Sequence, residues 1–186
     1  MESTCHRSDI RRLCVAGFLV LFVAVGSIPV VAQPVEEDLP GTTVGSDFYN
    51  NTYFAIGTHL SLLSGAGLSA RVTFPNRVAA QLTTFVVAVG GITHFNIGGE
   101  GQYAFTQGDG GRLFGLLGAG YYLSTSDDPT KPGNRIKSPV HLGGGVGYEW
   151  FLSRHSSLDM ALPFTWFVEE GKVFPIPSVS FHYYFK

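Results

Sequence analysis

Beyond residue 52, apolar and polar residues alternate with a period of two, and no stretch shows the 3.6-residue period of an amphipathic helix. Because successive side chains of a strand point to opposite faces, this period predicts β-structure throughout that part of the chain. Eight segments carry the pattern, at residues 52–63, 67–74, 77–89, 93–106, 112–124, 138–152, 157–169 and 173–185. Turn-forming pairs such as Pro75-Asn76 and Gly90-Gly91 separate them. The chain is therefore predicted to be all-β, with eight antiparallel strands in an up-and-down order.

Two of these segments separate their faces most clearly. In residues 93–106 the apolar face holds Phe95, Ile97, Tyr103 and Phe105, and the polar face holds His94, Asn96, Glu100 and Gln102. In residues 138–152 the faces are Val140, Leu142, Val146, Tyr148 and Trp150 against His141, Glu149 and three glycines. The polar face is mostly small, as a narrow interior requires, and aromatic residues gather at both strand ends, as they do at the two interfaces of a bilayer. An apolar exterior around a polar interior is favoured over a soluble exported barrel with an apolar pocket.

The first fifty residues have a different composition. Residues 1–12 are polar and basic, residues 13–32 are apolar and end in Val30-Val31-Ala32, and residues 33–51 are acidic with Pro and Gly. This order predicts a cleaved signal peptide over residues 1–32 and a flexible periplasmic lead-in over residues 33–51, ahead of a barrel over residues 52–186. A retained membrane helix is the alternative, and Gly26 and Pro29 count against it.

The cysteine positions and the net charge exclude further classes of protein. Both cysteines, Cys5 and Cys14, fall in the predicted leader, so the exported chain has no disulfide and depends on packing and backbone pairing. Neither follows the apolar run, so a lipoprotein leader is not expected. The formal net charge of −2 provides no basic field for nucleic acid.

The last strand ends in Tyr183-Tyr184-Phe185-Lys186. With its leader, its alternating segments and this ending, the chain resembles the family of small eight-stranded Gram-negative outer-membrane β-barrels over residues 52–186. The resemblance implies a transmembrane β-barrel in the cell outer membrane that contacts outer-membrane lipid and lipopolysaccharide. It also implies that the outer-membrane assembly machinery recognises the C-terminal strand, and a monomer is expected. Proteins of that family end on an aromatic residue, whereas here Lys186 follows Phe185.

The number of strands sets both the topology and the interior. An even number places both termini in the periplasm and the long connection at residues 125–137 outside the cell. Eight strands enclose an interior that side chains just fill, so a general porin is not expected. The polar residues expected to face inward are His59, Arg71, Arg77, Gln81, His94, Glu100, Gln102, His141, Glu149, Asp159 and His182.

Buried charges must be paired, so Arg71 is expected to bind Glu100 or Glu149. We interpret the following residues as a structural polar core of the lumen: Arg71, His94, Glu100, His141, Glu149, Asp159 and His182. The histidines lack a ligand spacing such as His-Glu-x-x-His. No metal and no cofactor are therefore expected.

Enzymatic alternatives stay open at this level. A Ser-His-Asp arrangement that uses His141 and Asp159 can be drawn, and His59-Leu60-Ser61 resembles the His-x-Ser-Asn sequence of outer-membrane lipid A deacylases. The deacylase pattern has Asn where this chain has Leu62, and the period of two points His59 and Ser61 inward, away from lipid. The preferred interpretation is a non-enzymatic barrel with a structural or undefined binding role. A lipid-modifying barrel enzyme of the outer leaflet is the alternative.

Three prolines interrupt the last two segments. Pro163 lies within residues 157–169, and Pro175 and Pro177 lie near the start of the final segment; each removes a backbone donor that a closed barrel would use. In one interpretation the last strand begins near Ser178 and Pro163 sits at a bulge. In the other the prolines weaken a seam through which a lipid chain enters, a feature that resembles the lipid A palmitoyltransferase barrels.

Overall fold

The computed structural model describes residues 51–126 and 136–185. All of them fall within one of two units of the chain, Gly41–Lys186. The predicted signal peptide over residues 1–32 and nearly all of the predicted lead-in over residues 33–51 lie outside the described residues, as does most of the 125–137 connection. Within the described ranges, no helix is long and apolar enough to cross a bilayer.

The alternating segments form strands close to their predicted bounds. The strands are β1 (Tyr53–Ser61), β2 (Gly65–Thr73), β3 (Val78–Val89), β4 (Ile92–Gly108), β5 (Gly111–Ser126), β6 (Val140–Phe151), β7 (Ser156–Phe167), β8 (Lys172–Pro175) and β9 (Ser178–Phe185). We call the end of the sheet that holds Tyr53 and Phe185 the lower end, and the opposite end the upper end.

The sheet closes on itself. Strands β1 to β7 pair antiparallel in chain order, β7 pairs with both β8 and β9, and β9 pairs with β1. The pairs Phe164↔Pro175 and Ala161↔Ser178 keep one register along β7, so β8 and β9 are two parts of a single eighth strand. The predicted all-β, eight-stranded antiparallel barrel is confirmed, with a break in its last strand.

The two faces of the wall are as predicted. Outward side chains such as Leu68, Leu117 and Val146 are more than half exposed, at 67%, 74% and 56%. Glu100 and Glu149, whose direction decides the assignment, are buried inside the barrel at 5% and 0% exposure. Apolar side chains therefore cover the exterior, and the interior is largely polar.

The hairpin turns follow from their residues. Gly90 and Gly91 both have positive φ, 58° and 72°, which fits a two-residue loop between β3 and β4. Asn76 and Arg77 also have positive φ, 77° and 72°, in the turn between β2 and β3. The predicted inward position of Arg77 is wrong, because this turn carries its exposed side chain to the lower end, where Nη1 donates to the Phe105 carbonyl at 3.4 Å.

The prolines mark the break in the eighth strand. Pro163 stays within β7 in regular register with Gly145, so the bulge expected there is wrong. Its carbonyl accepts the Ile176 N–H at 3.0 Å, directly at the break. Pro175 ends β8 and Pro177 precedes β9, which begins at Ser178 as one interpretation expected. The residues before the break nevertheless form a strand, β8.

Candidate functional site

The connection between β1 and β2 folds into the barrel instead of outward. Leu63 and Ser64 are fully buried at 0% exposure, while their neighbour Leu62 is 47% exposed. Leu63 packs in the lumen against Phe114 and Leu116 of β5 and Ala161 of β7. We call Leu62, Leu63 and Ser64 the plug. It places an apolar layer across an interior that is otherwise mostly polar.

Glycines on the inner face of the wall make room for the plug. A Cβ added at Gly98 or Gly120 would collide with the backbone carbonyl of Ser64 or Leu63, respectively. A Cβ at Gly118 or Gly143 would lie 3.2 Å or 3.1 Å from a methyl carbon of Leu63. Any larger residue at these positions would compete with the plug for the same volume.

Hydrogen bonds join the plug to strands β1, β4 and β6 of the wall. The Ser64 hydroxyl donates to Oε1 of Glu100 at 2.5 Å, so Nε2 of His59 is the donor in its 2.9 Å bond to the same hydroxyl. Nδ1 of His141 donates to the Leu62 carbonyl at 2.5 Å. The Tyr122 hydroxyl donates to the Ser61 carbonyl at 3.1 Å, at the upper end of β1. Two of these bonds satisfy backbone carbonyls, those of Leu62 and Ser61, at the point where the chain turns inward from the wall.

A second network fills the lower half of the lumen. Glu149 binds Arg71 at 3.1 Å and Arg112 at 2.5 Å, and Asp159 binds Arg71 at 2.6 Å. Two guanidinium groups therefore face two carboxylates, and the four charges cancel. The Tyr184 hydroxyl also donates to Glu149, at 2.7 Å. Because every one of these groups is buried, each depends on the others for the interactions that water would otherwise provide.

The structure places six of the seven proposed core residues inside the barrel: Arg71, Glu100, His141, Glu149, Asp159 and His182. The seventh, His94, pairs with the buried Ser124 on the inner face but is exposed, so it is not part of a buried core. It has the inward parity on β4, but it lies above the height at which the short β1–β2 hairpin could cover it. Arg71 pairs with Glu149, one of its two expected partners, and also with Asp159. Arg112 was missed, because the Leu- and Gly-rich segment that it begins does not distinguish its two faces.

The arrangement gives no support to the catalytic alternatives. Both ring nitrogens of His59 are used by Ser180 and Ser64, and Ser61 Oγ accepts the Leu63 N–H, so His59 is not placed to take a proton from Ser61. His141 is bound to carbonyl oxygens at the plug, while Asp159 belongs to the lower network. In the part of the chain that the structure describes, no three His, Cys, Asp or Glu residues are grouped so as to hold a metal ion.

Above the plug the barrel wall is incomplete. Pairing between β2 and β3 stops at Leu68↔Thr84, and pairing between β1 and β9 stops at Leu60↔Val179. Strand β3 continues to Val89 without a described partner on that side, and β8 pairs only with β7. We call the space between them the wall gap. With two strands missing it spans three interstrand spacings, about 14 Å.

No family model matches the chain, and no curated protein sequence matches it. Among solved structures, it is similar to the Yersinia pestis outer membrane protein Ail in a phospholipid bilayer nanodisc, at 14% identity and a TM-score of 0.42, over 73% of this chain and 99% of that one. It is also similar to the crystal structure of the same attachment invasion locus protein, at 13% identity and a TM-score of 0.36, over 72% and 95%. At these scores the likeness carries no weight for function.

Proposed function

We propose that this chain is an integral β-barrel protein of the cell outer membrane, without enzymatic activity, whose role is structural or one of binding. The observation that carries the proposal is the inverted distribution of polarity. Apolar side chains cover the exterior, while charged side chains are buried and paired inside. A protein in water would leave that exterior as one large exposed apolar surface, whereas a bilayer solvates it.

Aromatic residues support the same placement. Tyr103, Trp150 and Tyr183 lie outward near the lower end, and Tyr121 and Trp166 lie outward near the upper end. Two such belts are typical of barrels that cross a bilayer, with the rings at the head-group level. With the predicted leader, this arrangement supports a lower end in the periplasm, an upper end at the cell surface, and lipid and lipopolysaccharide as neighbours of the outer face.

The filled lumen argues against solute passage. The plug and its apolar neighbours Phe114 and Leu116 lie above the charge network of Arg71, Arg112 and Glu149. Each layer is made of packed or hydrogen-bonded side chains, as eight-stranded barrels allow. A protein of this kind is expected to seal a bilayer rather than open a pore.

One experiment tests the placement and the absence of a pore together. The full chain is expressed in a Gram-negative host, and the membranes are separated by density and washed with carbonate. The protein is expected in the outer-membrane fraction, resistant to carbonate, and without step conductances in planar bilayers. Release by carbonate would contradict the membrane proposal, and steady conductance would contradict the filled lumen.

The absence of enzymatic activity needs its own measurement. Lipid A is extracted from a deletion strain and from a strain that overproduces the protein, and the two mass spectra are compared. Identical acylation patterns are expected, because His59 and Ser61 are engaged inside the barrel. A mass shift that the His59→Ala variant abolishes would establish the lipid-modifying alternative instead.

A further inference from the structure

Among the residues that the structure describes, the edge of β3 that faces the wall gap has backbone groups without a hydrogen-bond partner. The two-residue loop at Gly90-Gly91 makes Val89↔Ile92 a hydrogen-bonded pair, so odd-numbered residues of β3 bond to β4. The backbone N–H and C=O groups of even-numbered residues point the other way, toward β2 as far as Thr84 and into the gap beyond it. The N–H and C=O groups of Val86 and Ala88 therefore face the gap.

The edge of β8 on the opposite side is similar. The bond from Ile176 N–H to Pro163 directs even-numbered residues toward β7, so Val173 and Pro175 direct their backbone groups into the gap. Val173 presents one N–H and one C=O. Pro175 presents a C=O and has no N–H to leave unpaired. The two edges together offer more acceptors than donors.

The gap lies at the depth of the bilayer. A tilted strand rises about 2.5 Å per residue along the membrane normal, and Val86 is eight residues above Val78, so it lies roughly 20 Å up an apolar band about 25 Å tall. The side chains around the gap are apolar and exposed, with Val86 at 66% and Val173 at 56%. Leu62 of the plug, 47% exposed, lies in the β1–β2 connection, where the two missing strands end. Backbone groups left unpaired in hydrocarbon are costly, so an occupant must supply hydrogen bonds there.

We propose, on the basis of the outer-membrane placement above, that the wall gap binds one acyl chain of a glycolipid whose chains are amide-linked and hydroxylated, the chemistry of lipid A. The acyl chain packs on Leu62 between the two strands, and its amide and hydroxyl groups bond to the exposed strand edges. The free carbonyl groups need donors at the depth of the acyl linkage. Ester-linked phospholipids have only acceptors there, so they leave the carbonyls of Val86, Ala88 and Val173 unpaired.

A second copy of the chain does not fit the gap. Two copies in one membrane share their orientation, so a twofold axis between them runs along the membrane normal. Such an axis keeps both β3 edges pointing the same way and places donor opposite donor, which prevents a regular ladder. The lipid requires no such alignment.

The test is photo-crosslinking of the mature full chain in nanodiscs that contain lipid A and phosphatidylethanolamine in equal amounts. The photoreactive residue p-benzoylphenylalanine replaces Val86 in the gap or, as a control, Leu142, which faces outward on β6 between its paired neighbours β5 and β7, near the same end. Relative to the control, adducts at position 86 are expected to favour lipid A about tenfold, equivalent to about 1.4 kcal/mol. Equal ratios at the two positions, or a preference for phosphatidylethanolamine at position 86, would overturn the proposal.

A second variant separates the hydrogen bonds from the shape of the gap. Val173→Pro removes an N–H that faces the gap and is not used by β7, so the barrel ladder and every edge carbonyl stay in place. An ester-linked phospholipid can accept a hydrogen bond from that N–H but cannot donate to the carbonyls, so its loss is expected to raise the lipid A preference at position 86 severalfold. An unchanged preference would contradict the role of the strand edge. If instead neither position labels any lipid and the protein washes off with carbonate, the membrane placement itself has failed, which is a distinct outcome.

Discussion

The lower and upper halves of this barrel fill the lumen in different ways. In the lower half every strand has two neighbours, and the lumen is filled by the paired charges of Arg71, Arg112, Glu149 and Asp159. In the upper half two strands leave the wall, and their connection fills the lumen with Leu63. The lower half has a complete wall around a polar interior. In the upper half two strands are missing from the wall, and their connection forms an apolar layer in the lumen.

The comparison separates two sources of stability. Charges in the lower half hold one another in place, so the loss of Glu149 leaves Arg112 without its carboxylate and Arg71 with one of its two. The plug in the upper half is held by packing and by a few hydrogen bonds to Glu100 and His141. Substitutions in the lower half are therefore expected to cost more, and those in the upper half to change the plug without opening the barrel.

The largest effect is expected from Glu149→Gln. Arg112 loses its carboxylate and Arg71 keeps only Asp159, so the free energy of unfolding should fall by about 3–5 kcal/mol. Guanidinium titration of the refolded barrel, followed by tryptophan fluorescence, measures the change. Glu170→Gln is the control, because Glu170 pairs with Lys172 at the exposed upper rim and its loss should cost less than about 1 kcal/mol. Equal losses for both variants would contradict the role of the lower network.

Leu63→Ala tests the plug as packing. Leu63 is fully buried against Phe114 and Leu116, so its truncation should lower the free energy of unfolding by about 2–5 kcal/mol. The adjacent residue gives the matched control, because Leu62 is half-exposed and Leu62→Ala should cost much less. The same denaturant titration applies. If the two alanine variants were equally destabilised, Leu63 would not be the residue that fills the upper lumen.

Gly120→Ala tests whether the inner-face glycines make room for the plug. The added Cβ would collide with the Leu63 carbonyl, while its other close neighbour is the movable ring of Tyr122. A loss of about 1–3 kcal/mol is expected, with increased protease cleavage or hydrogen exchange at the plug. Gly101→Ala on β4 is the control, since a Cβ there meets nothing within 4 Å. Unchanged stability and unchanged hydrogen exchange at the plug in the Gly120 variant would show that a larger residue fits at this position.

The period of two was sufficient to predict the strands, and the reason is physical. A wall with lipid on one side and a polar lumen on the other forces alternation at nearly every position, so the predicted segment 77–89 differs by one residue from β3. Glu100 and Glu149 were placed inside by the same rule, and both lie there. Alternation predicts which face a residue belongs to, and the pairing of β9 with β1 shows that the sheet closes.

Alternation does not report where a strand leaves the wall. Leu62 and Leu63 fall inside the first predicted strand, 52–63, and Ser64 opens the predicted turn, so the sequence pattern did not indicate that the connection turns inward. The available signal was one of volume: Gly98, Gly118, Gly120 and Gly143 leave the upper lumen without side chains, and some other part of the chain had to fill it. His94 was misplaced for the same reason, since a residue of inward parity is buried only where the opposite wall is present.

The smallest effect is expected at the upper rim, where Ser138 and Glu169 join the ends of β6 and β7 outside the strands. The Ser138 hydroxyl donates to Oε2 of Glu169 at 2.6 Å, and this bond lowers the pKa of the Glu169 carboxyl from its ordinary value. A lowered pKa adds stability that is present above the ordinary pKa of a free Glu and is lost as the pH falls through the lowered value. Ser138→Ala is therefore expected to raise the pKa of Glu169 toward the ordinary value and to remove that pH dependence, with the strands intact.

A carbon-detected NMR titration of Glu169 measures the pKa, and Ser153→Ala at the lower end is the control that should leave it unchanged. A pKa of Glu169 that does not respond to Ser138→Ala would show that the rim contact is absent in the membrane, and that the upper half is held at its rim by the strands alone.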